Sequence, residues 1–171
     1  MPDRDLEDRI RALEDQQAIR DVLMRYARGV DRCDLGLLKS AYHEDAYDNH
    51  GFFEGNAWEF AEFLLATRAQ DLDFSSHVIG NVFIEVDGDD AQCESYHLAF
   101  QRRRGQEDIQ LFAGRYIDHF QRRNGVWAIA RRTVVHDWSL VTRPTGPVKL
   151  PLDSFAAGTV YPDDPVYRIT R

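Results

Sequence analysis

The sequence predicts an α+β fold in which helices come first and cover one face of an antiparallel sheet. Apolar residues recur every three or four positions over about the first seventy residues, which is typical of amphipathic helices. Between Val82 and Trp138 they alternate at every second position, which is typical of strands. Helices followed by a run of long strands joined by tight turns is the element order of an α+β domain.

The first thirty-odd residues predict one long amphipathic helix. Its apolar positions are Leu6, Ile10, Leu13, Ile19, Val22, Leu23, Tyr26, Ala27 and Val30. Their phase slips between Leu13 and Ile19, so we expect the first turns to project from the domain and the later turns to face its core. Asp34 and Asn56 can each cap a shorter helix, which makes three helices in all.

The strands are predicted from alternation and turn signals. A short strand around 46–49 precedes the third helix, and His77 opens the first long strand, whose alternating part is Val82–Val86. Two more long strands cover 91–103 and 109–121, and the last covers 126–138. The Asn124-Gly125 pair is a strong hairpin signal between the last two strands.

Length and composition indicate one domain followed by a tail. We expect residues 1–141 to form the α+β domain and residues 142–171 an extended C-terminal tail, because five of the six prolines lie beyond Thr142. The aromatic residues Phe155, Tyr161 and Tyr167 need a surface to pack on. The tail is therefore expected to wrap across its own domain or across a neighbouring copy.

The charge balance excludes several classes of partner. The 21 Lys and Arg against 29 Asp and Glu give a net charge of -8, which repels nucleic-acid phosphates and anionic membrane surfaces.

The charged first residues do not resemble a signal peptide and no run is long enough to span a bilayer, so a cytoplasmic location is expected. Cys33 and Cys93 are too few for a disulfide framework or a thiolate metal cage.

Polar residues in apolar surroundings are the candidates for chemistry. Asp31 follows the core-facing end of the first helix, which also carries Tyr26, and a buried carboxylate needs a partner. His77 can be that partner. An Asp–His pair fixes the imidazole tautomer and supports the cation that forms when histidine takes up a proton. The alternative is that Asp31 caps the following helical segment and His77 is a hydrogen-bonded residue at the strand end.

The last strand and the histidines leave further alternatives open. Alternation puts Arg132, Val134 and His136 on one face, so Arg132 either points inward or belongs to a solvated strand with salt bridges. A three-histidine metal site from His50, His77 and His136 lacks ligand pairs at helical spacing, so no metal is expected. The remaining histidines, His97 among them, are interpreted as surface or packing residues.

Several segments together resemble the SnoaL-like branch of the nuclear-transport-factor-like (cystatin-like α+β) superfamily. They are Ile19–Asp31, Tyr42–Ala46, Ser76-His77, and Gly114–Phe120 running into Asn124–Trp127, and the resemblance covers most of residues 5–140. It implies a cone-shaped fold, with a curved antiparallel sheet wrapped around the three helices and a deep apolar pocket. Within that branch the chain resembles the dehydratase and dehydrochlorinase members, namely scytalone dehydratase, hexachlorocyclohexane dehydrochlorinase and bile-acid dehydratase.

The resemblance implies a cofactor-independent lyase or dehydratase. In those members a histidine after the third helix, paired with an aspartate at the end of the first helix, abstracts a proton. His77 and Asp31 match these positions, and Tyr26 and Arg132 match further catalytic ones. His50 falls where the dehydratases carry a pocket tyrosine.

The expected substrate is a hydrophobic cyclic small molecule. The residues expected to contact it are His50, Phe52, Tyr96, Leu98, Phe112, Tyr116, Val134 and His136. Other members of the superfamily leave an isomerase, a polyketide-type cyclase, a non-catalytic small-molecule binder or a dioxygenase-subunit-like protein as alternatives. A homo-oligomer is expected, a trimer by resemblance, because apolar residues such as Ile117 and Val135 lie on the outer sheet face.

Overall fold

Three helices pack against one curved, unclosed six-stranded sheet. The three helices and the α+β class are as the sequence predicts. The computed structural model describes residues 2–146, 151 and 154–168, and the side chains from Leu6 onward. Within this part, no helix combines the length and the apolar character that crossing a membrane requires.

Helix α1 (Pro2–Asp31) divides into an exposed and a buried half. Leu6, Ile10 and Leu13 are about half exposed or more, whereas Ile19 and Leu23 are fully buried. This confirms the expectation drawn from the phase slip. After Asp31 the chain reverses at Cys33, whose φ of +52° is left-handed, and the amide of Asp34 donates to the carbonyl of Gly29 at 2.9 Å.

The two shorter helices begin at the predicted caps. Asp34 accepts from the amide of Leu37 at the start of α2 (Leu35–Lys39), and Asn56 accepts from two amides at the start of α3 (Ala57–Asp71). Helix α2 packs closely on α1 at Gly29, where an added Cβ would lie 2.7 Å from the backbone of Leu38.

The strands are β1 (Tyr42–Asn49), β2 (Glu54–Asn56), β3 (Leu72–Asp87), β4 (Asp90–Arg103), β5 (Ile109–Arg123) and β6 (Val126–Thr142). Their order in the sheet is β2-β1-β6-β5-β4-β3. Strands β3 to β6 form the predicted antiparallel meander. The prediction of a wholly antiparallel sheet was wrong, because β1 pairs in parallel with β6. Strand β2 was not predicted, since Glu-Gly-Asn carries no apolar alternation.

The face of the sheet that the helices cover, called the inner face below, is set by the strand register. On it His77 is paired with Ala99, Ile79 with His97, Ser95 with Tyr116, and Asp118 with Arg132. Neighbouring strands therefore bring polar residues from distant parts of the sequence onto the same inner face.

Residues 154–168, in the C-terminal segment, return to the C-terminal end of α1. The amide of Tyr161 donates to the carbonyl of Arg32 at 2.6 Å, and Arg32 pairs with Asp164 at 3.6 Å. The guanidinium of Arg28 lies over the ring of Tyr167, 5.0 Å from its centroid. A single turn of 3-10 helix, Pro165–Arg168, follows Asp164.

Candidate active site

Asp31 and His77 form a hydrogen-bonded pair between the end of α1 and the start of β3. Nδ1 of His77 lies 2.6 Å from Oδ1 of Asp31, and the backbone amide of His77 donates to Oδ2 at 2.7 Å. Both side chains are more than nine-tenths buried. The two contacts fix the imidazole ring against the carboxylate in one orientation.

A third group completes the hydrogen bonding of the carboxylate. The hydroxyl of Ser75 donates to Oδ1 of Asp31 at 2.7 Å, and the guanidinium of Arg68 donates to that hydroxyl at 2.7 Å. Burial alone would raise the pKa of Asp31, but the hydrogen bonds and charge of His77, with Ser75, hold that pKa below its usual value. Asp31 is therefore an anion at neutral pH.

The free nitrogen of His77 is the chemically important feature. Since Asp31 is an acceptor, the neutral form of the imidazole carries its proton on Nδ1 and a lone pair on Nε2. Among the described residues, no hydrogen bond engages Nε2 of His77. This nitrogen is thus available to accept a proton from a molecule on the inner face.

The end of α3 positions the start of β3. Helix α3 passes directly into β3 at Leu72, and Arg104 stabilises this junction by donating to the carbonyls of Gln70 and Leu72 at 2.9 and 3.2 Å. The chain therefore leaves the helix in a fixed direction, which places His77 opposite the end of α1.

A second His–Asp pair lies on and just after β1. Asp48 is fully buried and contacts Nδ1 of His50, while the hydroxyl of Tyr42 donates to its other oxygen at 2.6 Å. Nε2 of His50 lies 3.1 Å from the hydroxyl of Tyr26. Burial lowers the pKa of His50 although Asp48 opposes the shift, so the ring is neutral and accepts from Tyr26.

Arg132 is fully buried in the centre of the inner face. It makes two hydrogen bonds of 2.7 Å to Asp118, and its guanidinium lies between the rings of Tyr26 and Tyr116, about 4 Å from each centroid. Burial disfavours its charge, but Asp118 raises the pKa of Arg132 above its usual value. Of the two alternatives, the structure shows the inward-pointing arginine.

Three buried polar atoms on the inner face have no hydrogen-bond partner among the described residues. They are Oγ of Ser95, Nδ1 of His97 and Nη1 of Arg132. Buried polar atoms are normally satisfied, so these three mark where the polar groups of a bound molecule or water would be accommodated. The ring of His97 stacks on Tyr116 at 4.1 Å, and burial lowers its pKa to about 4.

Ser95 and His97 were missed by the sequence reasoning, which assigned His97 to the surface or to packing. The alternation that groups Tyr96 with Leu98 also places His97 on the opposite face, which is the signal that indicates an inward-facing His97. Asp48 and Asp118 were missed as well, because each is recognised only by a partner brought close by the sheet.

The structure brings together only part of the predicted site. Tyr26 contacts His50, Tyr116 and Arg132, and Tyr116 also contacts His50 and Arg132. His77 lies close enough to His50 for its charge to lower the pKa of His50. Val134 packs against this core, while Phe52, Phe112 and His136 are exposed.

Tyr96 and Leu98 are not brought to this site, which corrects their place in the predicted set. Both alternate with the buried His97, so they lie on the outer sheet face, and Tyr96 is 47% exposed.

Within the described residues, no three His, Cys, Asp or Glu side chains cluster as a metal site, so His50, His77 and His136 do not converge.

Comparisons with known proteins agree with the fold. The family model described as "SnoaL-like domain" matches residues 11–133. A structure from Novosphingobium aromaticivorans, named as a candidate scytalone dehydratase, has a TM-score of 0.70 and 20% identity, covering 81% of this chain and 97% of the other. No curated protein matches the sequence significantly.

Two further structures show the same similarity of fold. The type 3 hexachlorocyclohexane dehydrochlorinase LinA from Novosphingobium barchaimii has a TM-score of 0.68 and 22% identity, covering 82% of this chain and 97% of the other. A protein with a cystatin-like fold from Nostoc punctiforme has a TM-score of 0.60 and 20% identity, covering 72% and 91%.

Proposed function

Because the chain belongs to the SnoaL-like family, we propose that it is a lyase of the dehydratase type acting on a hydrophobic cyclic small molecule. The observation that carries the proposal is the free Nε2 of His77, backed by a carboxylate that accepts three hydrogen bonds. The names of its structural neighbours, a dehydratase and a dehydrochlorinase, support an elimination.

In the proposed reaction, His77 removes a proton from the carbon next to a carbonyl or leaving group. The electron pair of the broken C–H bond forms the new double bond, and the leaving group departs with its own electron pair. Where the leaving group is a hydroxyl, it takes up the proton that His77 has removed and departs as water. Asp31 stabilises the imidazolium that results. A positioned general base of this kind contributes about 10²- to 10⁴-fold to the rate, and no cofactor is needed for this step.

Arg132 and Tyr26 are the proposed stabilisers of developing negative charge. The unpartnered Nη1 of Arg132 can donate to a hydrogen-bond acceptor of the substrate, and the fixed positive charge requires no reorganisation during the reaction. Burial raises the pKa of Tyr26 to about 12, so its hydroxyl stays protonated. Its one proton is donated to Nε2 of His50, so Tyr26 donates to a substrate only when the hydroxyl turns away from His50. The substrate contact proposed for His50 then acts through Tyr26.

An isomerase is the second candidate, and the pair formed by Asp48 and His50 favours it. An isomerisation must return a proton to a second carbon. Tyr26 could deliver that proton when its hydroxyl turns from His50 to the substrate, and the resulting tyrosinate would regain a proton from the imidazolium of His77 by way of solvent. Elimination and isomerisation would then share the base and differ in the fate of the proton.

A screen in deuterated water distinguishes these reactions. The protein is incubated with a panel of hydrophobic cyclic hydroxy-ketones and analysed by mass spectrometry. We expect loss of water for a dehydratase, and deuterium incorporation without loss of water for an isomerase. His77→Ala should remove either signal, whereas His119→Ala, which changes an exposed His–Asp pair, should retain it. Equal activity in His77→Ala would overturn the proposal.

We also propose that this chain forms a homo-oligomer. The outer sheet face carries Val78, Tyr96 and Ile117, each more than a third exposed, and apolar surface of this kind is typical of subunit interfaces. A trimer in analytical ultracentrifugation at micromolar concentration is the expected result, and a monomer would contradict it.

A further inference from the structure

A cavity of about 480 Å³ lies beside the dyad, on the carboxylate side of it. It is formed by the end of α1, the junction of α3 with β3, and the C-terminal segment. Its described lining includes Asp31 and Ser75 but not His77, so it is distinct from the inner-face site that Nε2 of His77 serves.

Three guanidinium groups line this cavity. Arg32 is paired with Asp164, and Arg104 donates to backbone carbonyls. Arg68 donates to the hydroxyl of Ser75, and its buried Nε has no partner among the described residues. No described carboxylate lies within salt-bridge distance of Arg68 or Arg104. Arg104 is exposed, whereas Arg68 is part-buried. A part-buried guanidinium without a directly paired anion is costly, and an anion bound to Arg68 would offset that cost.

The two carboxylates in the lining do not fill this role. Asp31 accepts from His77 and Ser75, and Asp73 pairs with Arg102 at 3.2 Å. The charge of Asp73 is therefore offset by Arg102, whereas burial lowers the pKa of Arg68 and the charge of Asp31 opposes that shift. Since Asp31 offsets only one of the charges of Arg68 and Arg104, the charge left over in the cavity is positive.

The remaining wall is apolar. It is formed by Ala69, Leu72, Phe74 and Val160. Val160 belongs to the C-terminal segment, which Arg32 holds through hydrogen bonds to the carbonyl of Thr159 and from the amide of Tyr161. The docked segment thus completes a pocket that has cations on one side and apolar side chains on another.

We propose that this cavity binds a small organic acid, with its carboxylate on Arg68 and Arg104 and its apolar body against Leu72, Phe74 and Val160. Charge-assisted hydrogen bonds to a guanidinium are the usual means of carboxylate recognition. This site does not depend on the proposed reaction, because none of its liganding groups is the base.

Titration calorimetry with benzoate on the full-length protein tests the proposal. Benzoate should bind with one-to-one stoichiometry, whereas benzyl alcohol, which lacks the charge, and acetate, which lacks the apolar body, should each bind at least tenfold more weakly. Arg68→Gln should weaken benzoate binding roughly tenfold to hundredfold, as expected for a lost hydrogen bond between charged groups. Equal binding of benzoate and benzyl alcohol would overturn the proposal.

Matched variants separate this site from the inner-face site. Arg143→Gln removes the same charge from an exposed arginine and should leave benzoate affinity unchanged. His77→Ala should also retain it, and loss in that variant would place benzoate on the inner face and overturn the proposal. Should Arg68→Gln fail to fold, as judged by circular dichroism, Val160→Asp tests the same site by adding a repelling charge. Unchanged benzoate affinity in Val160→Asp would contradict the proposal.

Discussion

The two buried His–Asp pairs use the same residue types in opposite ways. In the pair of Asp31 with His77, Nδ1 faces the carboxylate and Nε2 has no partner among the described residues. In the pair of Asp48 with His50, Nδ1 also faces the carboxylate, but Nε2 is engaged by the hydroxyl of Tyr26. The first pair is open and the second is closed. A histidine is equipped for proton transfer by its second nitrogen, which only the fold determines.

The closed pair belongs to a buried network that stabilises the fold and also contains Arg132 and Tyr26, the proposed stabilisers of negative charge. Asp48 accepts from Tyr42, and the ring of Tyr42 lies beside the guanidinium of Arg132, which in turn pairs with Asp118. The open pair lies at the edge of this network, beside the cavity and the C-terminal segment. We therefore expect changes in the closed region to affect stability and changes in the open pair to affect turnover.

The largest expected loss of stability comes from breaking the buried ion pair beside the closed region. Arg132→Met leaves the carboxylate of Asp118 buried without a partner, which should lower the free energy of unfolding by about 3–5 kcal/mol in urea denaturation. The double variant Arg132→Met with Asp118→Leu should recover much of that loss. Arg131→Met, at the exposed neighbouring position, is the control. If Arg132→Met lost no more stability than Arg131→Met, the ion pair of Arg132 with Asp118 would not stabilise the fold.

A smaller loss is expected when the acceptor of the closed pair is weakened. Asp48→Asn replaces an anion that Tyr42 and His50 both contact, so the free energy of unfolding should fall by about 1–3 kcal/mol. Urea denaturation measures this, with Asp45→Asn on the exposed part of β1 as the control. If Asp48→Asn were as stable as Asp45→Asn, the hydrogen bonds of the closed pair would contribute nothing to the free energy of unfolding.

The sequence predicted the elements that depend on local signals. The caps at Asp34 and Asn56, the slip in α1 and the long meander all follow from short-range patterns. The parallel pairing of β1 with β6 could not be predicted in this way, since it joins segments about eighty residues apart.

The same division holds for the candidate site. Asp31 and His77 could be matched in advance because the resemblance fixes both positions, and the structure brings them into contact. The closure of His50 by Tyr26 and the engagement of Arg132 by Asp118 depend on which side chains meet across the inner face. No spacing along the sequence contains that information.

His97, a neighbour of both pairs, should make the free energy of unfolding depend on pH. Burial lowers its pKa to about 4, so between pH 4 and the ordinary histidine value the unfolded chain binds a proton that the folded chain does not. Stability should therefore fall as the pH is lowered from 7 towards 4. His97→Gln should reduce this fall, as measured by urea denaturation at several pH values. If stability fell equally steeply in His97→Gln, the pH dependence would not come from the lowered pKa of His97.

The smallest expected effect is a difference in chemical reactivity between the two histidines. Diethyl pyrocarbonate modifies an imidazole nitrogen that carries a free lone pair, so His77 should react faster than His50 when peptides are quantified by mass spectrometry. Tyr26→Phe removes the hydroxyl that occupies Nε2 of His50 and should accelerate the modification of that residue. Equal rates for both histidines in the unaltered protein would contradict the difference between the open and closed pairs.

The most direct test of the proposed function is a double-mutant cycle on turnover of a substrate identified by the screen. His77→Ala and Asp31→Asn should each reduce kcat by about 10²-fold or more while substrate binding changes only a few-fold, since both residues act mainly in the transition state. The double variant should lose little beyond the His77→Ala variant, because the two residues act as one unit. Turnover retained in His77→Ala, or losses that multiply in the double variant, would contradict the account.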